Sequence, residues 1–122
     1  MSDRRRRLGQ LGERLAADYL TQHGHRIVER NARRREGEID LVTIDGDTLV
    51  FVEVKLRGAH EQGRAVESLS AAKQRRLAVL AEAYSADHPE LPRDLRIDLV
   101  AIELDEAGRV ASLDHVTNAV QD

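Results

Sequence analysis

Two carboxylates and one lysine in the middle of the chain have the types and spacing of a metal-assisted hydrolytic site. Glu53 and Lys55 lie two residues apart in the apolar segment 50–57, and Asp40 lies in the preceding apolar segment 37–42. Carboxylate oxygens bind Mg²⁺, which keeps several of its waters in proteins and lowers the pKa of a bound water. A lysine beside such a site can orient that water or stabilise charge on a phosphate. The three residues therefore indicate phosphodiester hydrolysis as candidate chemistry.

A tight hairpin is predicted to bring these three residues together. Both segments are typical of β-strands, and the sequence Asp-Gly-Asp at 45–47 is typical of a two-residue turn, with type I′ favoured. Such a turn pairs residues whose numbers have an odd sum, so Asp40 and Glu53 are expected on one face of the sheet, together with Lys55. Glu38 is expected to share that face.

The same pattern has a simpler interpretation. Alternating charges are common on the solvated face of an antiparallel sheet, and a salt bridge from Glu53 or Asp40 to Lys55 would then have no catalytic role. Against this interpretation, charged groups within an apolar run cost free energy unless they are paired or functional. The spacing alone leaves both interpretations open.

The composition limits the class of protein. The chain of 122 residues is long enough for one core, and we expect a single domain over 1–122, with 1–7 a flexible basic tail and 114–122 a tail of undefined structure. The absence of cysteine excludes disulfides and thiolate metal sites. No apolar run approaches the roughly 20 residues that span a bilayer, and no signal-like segment is present. We therefore expect a cytoplasmic protein without a membrane partner.

Charge is unevenly distributed along the chain. The formal net charge of −3 is not typical of a simple nucleic-acid-binding domain. Arginines nevertheless form one basic block at 4–7 and a second between 30 and 35, just before the carboxylates. Arginine suits bidentate contacts with phosphate, whereas aromatic residues are too scarce for a base-stacking platform. The arginine blocks are therefore candidate contacts for a phosphate backbone.

Hydrophobic periodicity predicts the elements around the hairpin. A first helix is expected over about 8–22, ended by the glycine at 24. A short strand follows at 26–30, then a polar link at 33–37 and the hairpin over about 38–57. The side chains expected to form the core face of its second strand are Val50, Val52, Val54 and Leu56.

The second half of the chain contains a loop, a helix and one or two strands. Residues 58–68 are predicted to form a mobile loop beside the site, and Ser70 is predicted to cap a helix that runs to about residue 87. Residues 95–104 are predicted to form a strand buried on both faces, in which Arg96 and Asp98 are interpreted as a structural ion pair. Residues 109–113 are expected to add an edge strand. This order predicts an α/β domain of two or three layers with a mixed central sheet.

The combination of motifs resembles the YraN family, a bacterial family with a predicted restriction-endonuclease-like fold. The resemblance runs from about residue 8 to residue 102. It is carried by Gly12-Glu13 in the first helix, the sequence Arg-Asn-Ala-Arg at 30–33, the segment 37–42 and the segment 50–57. The pattern is also similar to the PD-(D/E)XK nuclease superfamily, which includes archaeal Holliday-junction resolvases, with the element order helix, three strands, helix, strand.

The resemblance implies a role for each matching residue. Asp40, Glu53 and Glu13 would be catalytic and bind Mg²⁺ or Mn²⁺, and Lys55 would be the catalytic lysine. Auxiliary or phosphate-binding roles would fall to Lys73, Gln74, Arg30, Arg33 and Arg57. Position alone favours a surface residue for Glu13 and a solvated helical face for Lys73 over these roles.

These observations predict a Mg²⁺-dependent nuclease-like protein that hydrolyses DNA phosphodiesters in recombination, repair or uptake of DNA. The alternative is a non-catalytic nucleic-acid-binding or accessory module of a DNA-processing complex, which the net charge and short chain favour. A third hypothesis is a structural interaction protein without metal affinity or salt-dependent DNA binding. A homodimer would double the phosphate-contact surface, and the sequence leaves this open.

Overall fold

A computed structural model describes residues 3–61, 65 and 69–120. These residues contain two helices and five strands. In chain order they are α1 (Asp3–Gln22), β1 (Arg26–Arg34), β2 (Gly37–Asp45), β3 (Thr48–Arg57), α2 (Ala71–Asp87), β4 (Asp94–Leu104) and β5 (Val110–Val116). The strands form one sheet in the order β1-β2-β3-β4-β5, with β3 and β4 parallel and the other pairs antiparallel. The predicted α/β class and mixed sheet are confirmed, and they are consistent with a restriction-endonuclease-like core.

The two helices cover opposite faces of the sheet, which gives three layers. Val50 and Val52 of β3 pack beneath α1. Leu49 and Phe51 pack beneath α2, where the ring of Phe51 meets that of Tyr84 edge-on at a centroid distance of 5.7 Å. The predicted core face of β3 is confirmed, and its other face forms a second core. Within the described part of the chain, neither helix is long and apolar enough to cross a membrane.

Two predicted boundaries near the N-terminus were wrong because backbone pairing continues where apolar periodicity stops. Helix α1 begins at Asp3, so the arginines at 4–7 lie in its first turns and not in a flexible tail. Strand β1 continues through the predicted polar link, where Arg33 pairs with Glu38 and Arg34 with Gly37. Most side chains of these polar segments are exposed, although Arg34 is half-buried. They carry no periodic apolar signal, although their backbones are regular.

The C-terminal segment is also more regular than predicted. Strand β5 extends to Val116, and the N–H of Ala119 donates to the carbonyl of Ile97 at 2.7 Å. The segment from 114 to 120 is therefore attached to the sheet. Residues 121–122 of the predicted tail lie outside the described residues.

The predicted mobile loop at 58–68 is described only in part, since residues 62–64 and 66–68 lie outside the described ranges. Its first residues are held by hydrogen bonds from Gly58 and Arg57 to the side chain of Glu61. Ala65 is buried, and its N–H donates to Oε2 of Glu103 at 3.2 Å. The described residues of this loop therefore contact the sheet and each other.

The turn between β2 and β3 has the predicted length but a different type. Asp45 pairs with Thr48, so the numbers of paired residues have an odd sum, as predicted. Gly46 has a φ of +63°, whereas Asp47 does not have a positive φ. Only a type II′ turn needs positive φ at its first central position alone. The prediction of type I′ was wrong because the glycine occupies the first central position, which leaves Asp47 in an ordinary conformation.

A buried ionic network connects β4 to the rest of the sheet. Asp98 is fully buried, and its two oxygens accept hydrogen bonds of 2.9 and 3.1 Å from Arg96, as the predicted ion pair requires. His115 and the N–H of Asn118 bond the same carboxylate at 2.8 and 2.9 Å, and Arg96 also reaches Asp45 at 3.0 Å. Burial alone would raise the pKa of Asp98, but these hydrogen bonds outweigh it and hold the pKa below its usual value.

We expect Asp98→Asn to reduce the free energy of unfolding by about 3–5 kcal/mol at pH 7, because it removes the buried carboxylate that accepts hydrogen bonds from Arg96 and contacts His115. Urea unfolding measures this change, with Asp114→Asn at an exposed position of β5 as control. The lowered pKa contributes stability above the unfolded-state pKa of about 3.9, and this contribution is lost as the pH falls through the folded-state pKa. The deficit of the variant should therefore shrink below about pH 4. Equal stability of the two variants at pH 7 would contradict this account.

Candidate active site

Asp40 lies where the regular alternation of β2 is interrupted. Leu41 packs in the core beneath α1 and Ile39 in the core beneath α2, although residues two apart in a regular strand share a face. On the neighbouring strand, Asn31 lies opposite Asp40 and has a φ of +54°. The β2–β3 ladder ends at Leu41, and the N–H of Val54 donates instead to Oδ2 of Asp40 at 2.8 Å. The interruption therefore replaces a ladder hydrogen bond with a carboxylate.

Asp40 and Glu53 form a carboxyl pair that shares a proton. Burial, followed by the hydrogen bond and the charge of Glu53, raises the pKa of Asp40 to about 8. Burial also opposes charge on Glu53, but the hydrogen bond from Asp40 and the contact with Lys73 outweigh it and keep the pKa of Glu53 below its usual value. Nζ of Lys73 lies 2.7 Å from Oε2 of Glu53, whose side chain is only 6% exposed. At neutral pH the pair thus holds one proton and one negative charge.

Lys55 and Lys73 are neighbouring amines that differ in basicity. Burial and the contact with Lys73 lower the pKa of Lys55. Burial also acts against the charge of Lys73, but the ion pair with Glu53 outweighs it and raises the pKa of Lys73. The structure therefore brings Asp40, Glu53 and Lys55 together as predicted, and it adds Lys73 of α2 as the counter-ion of the carboxyl pair.

Two further carboxylates adjoin Asp40. Carboxylate oxygens of Glu13, Glu38 and Asp40 lie within 4.8 Å of one another. Burial raises the pKa of Glu13, although a hydrogen bond with Asn31 acts against this. Glu38 was expected near Asp40 but was given no role, so it is the residue that sequence reasoning missed. Its place two residues before Asp40 was the available signal, and the break in alternation could not be foreseen from that pattern.

Gly12 allows α1 to approach β3 closely enough to position Glu13. A Cβ atom at Gly12 would lie 3.3 Å from Cβ of Leu56 and 3.4 Å from Cγ1 of Val54. At Gly9, one turn earlier in the helix, a Cβ atom would meet nothing within 4 Å. The distance between helix and sheet is therefore set at Gly12, and the next residue is Glu13.

Two of the predicted auxiliary arginines flank the carboxylates. Arg33 is exposed, with Nε 3.7 Å from Oε2 of Glu38. Arg30 is exposed on the same strand, and its positive charge acts on Glu13. Both guanidinium groups are therefore accessible beside the site, where a phosphate backbone would need them.

Gln74 has a different environment from Lys73, its neighbour in α2. Nε2 of Gln74 donates to the carbonyl of Leu69 at 3.1 Å. The side chain of Ser70 accepts from the N–H of Lys73 and caps α2 as predicted. Gln74 and Ser70 therefore stabilise the start of α2, which holds Lys73 against Glu53.

An open cleft connects the carboxylates to a basic rim. It has a volume of about 570 Å³, and Glu13, Asp40 and Lys55 are among its lining residues. The charged residues of the rim are Arg4, Arg5, Arg57 and Glu61. A smaller cleft of about 270 Å³ reaches Asp40 from the side of Glu53 and Lys73. Asp40 is thus accessible from both sides of the sheet edge, and cations surround an anionic centre.

Comparisons with known proteins match a segment of the chain that contains all of these carboxylates and both lysines. The model of the uncharacterised protein family UPF0102 matches residues 12–102. A UPF0102 protein of Pelotomaculum thermopropionicum is 45% identical over 119 residues, which cover 98% of this chain and 99% of the relative. One from Symbiobacterium thermophilum is 50% identical over 105 residues, covering 86% and 89%. One from Chloroflexus aurantiacus is 48% identical over 118 residues, covering 95% and 94%.

Substitution of the two glycines of α1 by alanine tests the close packing at Gly12. We expect Gly9→Ala to raise the free energy of unfolding by about 0.5–1 kcal/mol, because alanine restricts the unfolded chain. Gly12→Ala should lack this gain, since its Cβ must displace Leu56 or Val54. Chemical denaturation measures both variants. Equal stabilisation by the two substitutions would show that α1 is not held in close contact at Gly12.

The raised pKa of Asp40 predicts that Asp40→Asn stabilises the metal-free protein at high pH. An amide can donate to Glu53 and accept from the N–H of Val54, as the protonated carboxyl group does. In the wild type, protonation of Asp40 contributes its full stability only below the unfolded-state pKa of about 3.9. This contribution is lost as the pH rises through the folded-state pKa of about 8. The variant should therefore be more stable by about 1–2 kcal/mol at pH 9, and by less at pH 5.

Thermal unfolding in EDTA from pH 4 to pH 9 checks this prediction. Asp114→Asn, at an exposed position of β5, is the matched control. A constant difference between Asp40→Asn and the wild type across the pH range would refute a raised pKa at Asp40.

Proposed function

As the chain belongs to the uncharacterised protein family UPF0102, we propose a function for it from the geometry of its own site. The proposed reaction is metal-dependent hydrolysis of phosphodiester bonds in DNA. One observation supports it above all others: the carboxyl group of Asp40 lies between two clefts that hold the other groups of the site. The open cleft with the basic rim contains Lys55, and the smaller cleft contains Glu53 and its counter-ion Lys73. A substrate with several phosphates complements such a rim.

The carboxylates fit a hard divalent cation such as Mg²⁺ or Mn²⁺. Asp40, Glu13 and Glu38 offer the oxygen ligands that these ions prefer, within 4.8 Å of one another. Glu53, which forms a hydrogen bond with Asp40, offers a further one. Among the described residues, the buried Oε2 of Glu53 has no partner with hydrogen-bond geometry, although Lys73 lies 2.7 Å away. This oxygen therefore retains a lone pair for a cation. A bound cation would polarise a phosphoryl oxygen and lower the pKa of a bound water.

Each side chain of the site has a distinct role in this proposal. Asp40 and Glu53 would hold the cation, for which Asp40 would have to be deprotonated and Glu53 would have to give up its contact with Lys73. Lys55, whose pKa is lowered, orients the attacking water or accepts its proton. Lys73 stays cationic and stabilises negative charge on the phosphate. Arg30 and Arg33 hold the backbone beside the carboxylates.

A non-catalytic nucleic-acid-binding or accessory role is the second candidate. The observation that favours it is the electrostatic balance of the site without a cation, since Asp40 carries a proton and Lys73 compensates Glu53. Such a module would bind DNA through the basic rim alone. Its affinity would then depend on salt and persist in a chelator.

Incubation of the protein with branched, single-stranded and duplex DNA in Mg²⁺ or Mn²⁺ tests the proposed reaction. We expect cleavage that requires the metal and falls at least about 100-fold in Asp40→Asn and in Glu53→Gln, because each variant loses a charged ligand. Glu106→Gln, in the exposed turn between β4 and β5, is the matched control and should cleave like the wild type.

The other outcomes distinguish the two candidates. Binding that weakens with salt and survives EDTA, without products in either metal, would reject hydrolysis and support the binding module. Cleavage that continues unchanged in Asp40→Asn would reject the assigned site. Absence of both binding and cleavage would reject both candidate functions.

A further inference from the structure

The carboxylate of Glu61 contacts two anion-binding groups at the rim of the larger cleft. Its Oε2 accepts a hydrogen bond from NH1 of Arg57 at 3.1 Å, and its Oε1 accepts one from the N–H of Gly58 at 3.1 Å. A guanidinium group combined with a backbone N–H is an arrangement with which proteins bind phosphate oxygens. A carboxylate of the protein itself thus fills a place suited to a phosphate.

The groups around Glu61 are strongly cationic. The hydrogen bond from Gly58, followed by the contact with Arg57 and the charge of Arg4, holds the pKa of Glu61 below its usual value, so its carboxylate is anionic at neutral pH. Nε of Arg57 has no hydrogen-bond partner among the described residues. Glu61 therefore does not use all the donors of this guanidinium group, and removal of its charge would leave a local excess of positive charge.

These groups are also close to the carboxylate site. Arg57 lies two residues beyond Lys55 in β3, so the two residues share a face and their Cα atoms are about 6.5 Å apart. Both line the cleft that contains Asp40 and Arg4. Consecutive phosphates of a nucleic-acid strand have a similar separation. A strand with its scissile phosphate near Lys55 would therefore bring a neighbouring phosphate to Arg57.

We propose that Arg57, the N–H of Gly58 and Arg4 form a subsite for the phosphate next to the scissile one, and that Glu61 fills this subsite in the free protein. The inference rests on the proposed function, because a nucleic-acid strand is its occupant. A phosphodiester presents two non-bridging oxygens and one negative charge, as a carboxylate does, so the exchange conserves the local charge. Glu61 is therefore a competitor of the substrate.

The side chain of Glu61 can leave the subsite without disruption of the fold. The side chains of Arg57 and Glu61 are 36% and 40% exposed, and exposed ion pairs of this kind contribute little to stability. A strand that contacts several cations at once gains more than this single pair loses. Glu61 therefore lowers affinity for nucleic acid moderately and does not block the cleft.

Fluorescence anisotropy with a labelled single strand in EDTA measures binding without hydrolysis. We expect Glu61→Gln, which keeps the size of the side chain and removes its charge, to bind about two- to fivefold more tightly. Arg57→Gln should bind more weakly, and its slope of log affinity against log salt should be smaller by about 1. Glu106→Gln makes the same charge change in a distant turn and should bind like the wild type.

A double variant separates competition at Arg57 from a general effect of charge. If Glu61 acts mainly through Arg57, Glu61→Gln should tighten binding clearly less in the Arg57→Gln background, where the N–H of Gly58 is left as its hydrogen-bond donor, than in the wild type. Equal tightening in that background, or in Glu106→Gln, would show a general charge effect and overturn the subsite. Unchanged affinity of Glu61→Gln would overturn it as well.

The same variants distinguish the subsite from the proposed reaction. Tighter binding by Glu61→Gln without any metal-dependent cleavage by the wild type would support the subsite and overturn hydrolysis. Cleavage by the wild type with unchanged binding of Glu61→Gln would overturn the subsite and leave hydrolysis standing. Failure of every variant to bind nucleic acid would overturn both.

Discussion

The buried contact between Asp40 and Glu53 is the constraint on which the rest of the site depends. Two carboxylates within hydrogen-bond reach of each other cannot both be charged away from solvent without compensation. The protein compensates with a proton on Asp40 and with Lys73 beside Glu53. Lys73 comes from α2, while Gly12 brings α1 close to β3 from the opposite face. Helix α2 therefore supplies the counter-ion of the pair, and α1 places Glu13 beside it.

Asp98, which is fully buried, and Asp40, which is half-buried, show opposite electrostatics in the same sheet. Asp98 accepts hydrogen bonds from Arg96, His115 and the backbone, and its pKa is lowered. Asp40 has a backbone donor and a second carboxylate as neighbours, and its pKa is raised. The first arrangement is typical of a structural ion pair and the second of a functional site. The well-paired network around Asp98 stabilises a sheet that can then carry the less stable arrangement around Asp40.

In the free protein, the chain's own groups compensate several charged groups of the two clefts. A proton occupies Asp40, Lys73 compensates Glu53, and Glu61 accepts hydrogen bonds from Arg57 and the backbone of Gly58. Under the proposed function, a cation replaces the proton and Lys73, and a phosphate replaces Glu61. Such an exchange keeps the folded protein stable while the site remains available for binding.

The sequence by itself determined the order of the elements, the core face of β3, the odd-sum register of the hairpin, the cap at Ser70 and the convergence of Asp40, Glu53 and Lys55. These features depend on local periodicity, turn length and capping, which neighbouring residues encode. Only the tertiary structure decided the break in alternation at Asp40, the pairing of Lys73 with Glu53 and the regular backbone of the polar segments. They depend on contacts between distant segments and on a positive φ that no hydrophobic pattern signals. Packing of the two helices against the sheet supplies those contacts, so they exist only in the folded chain.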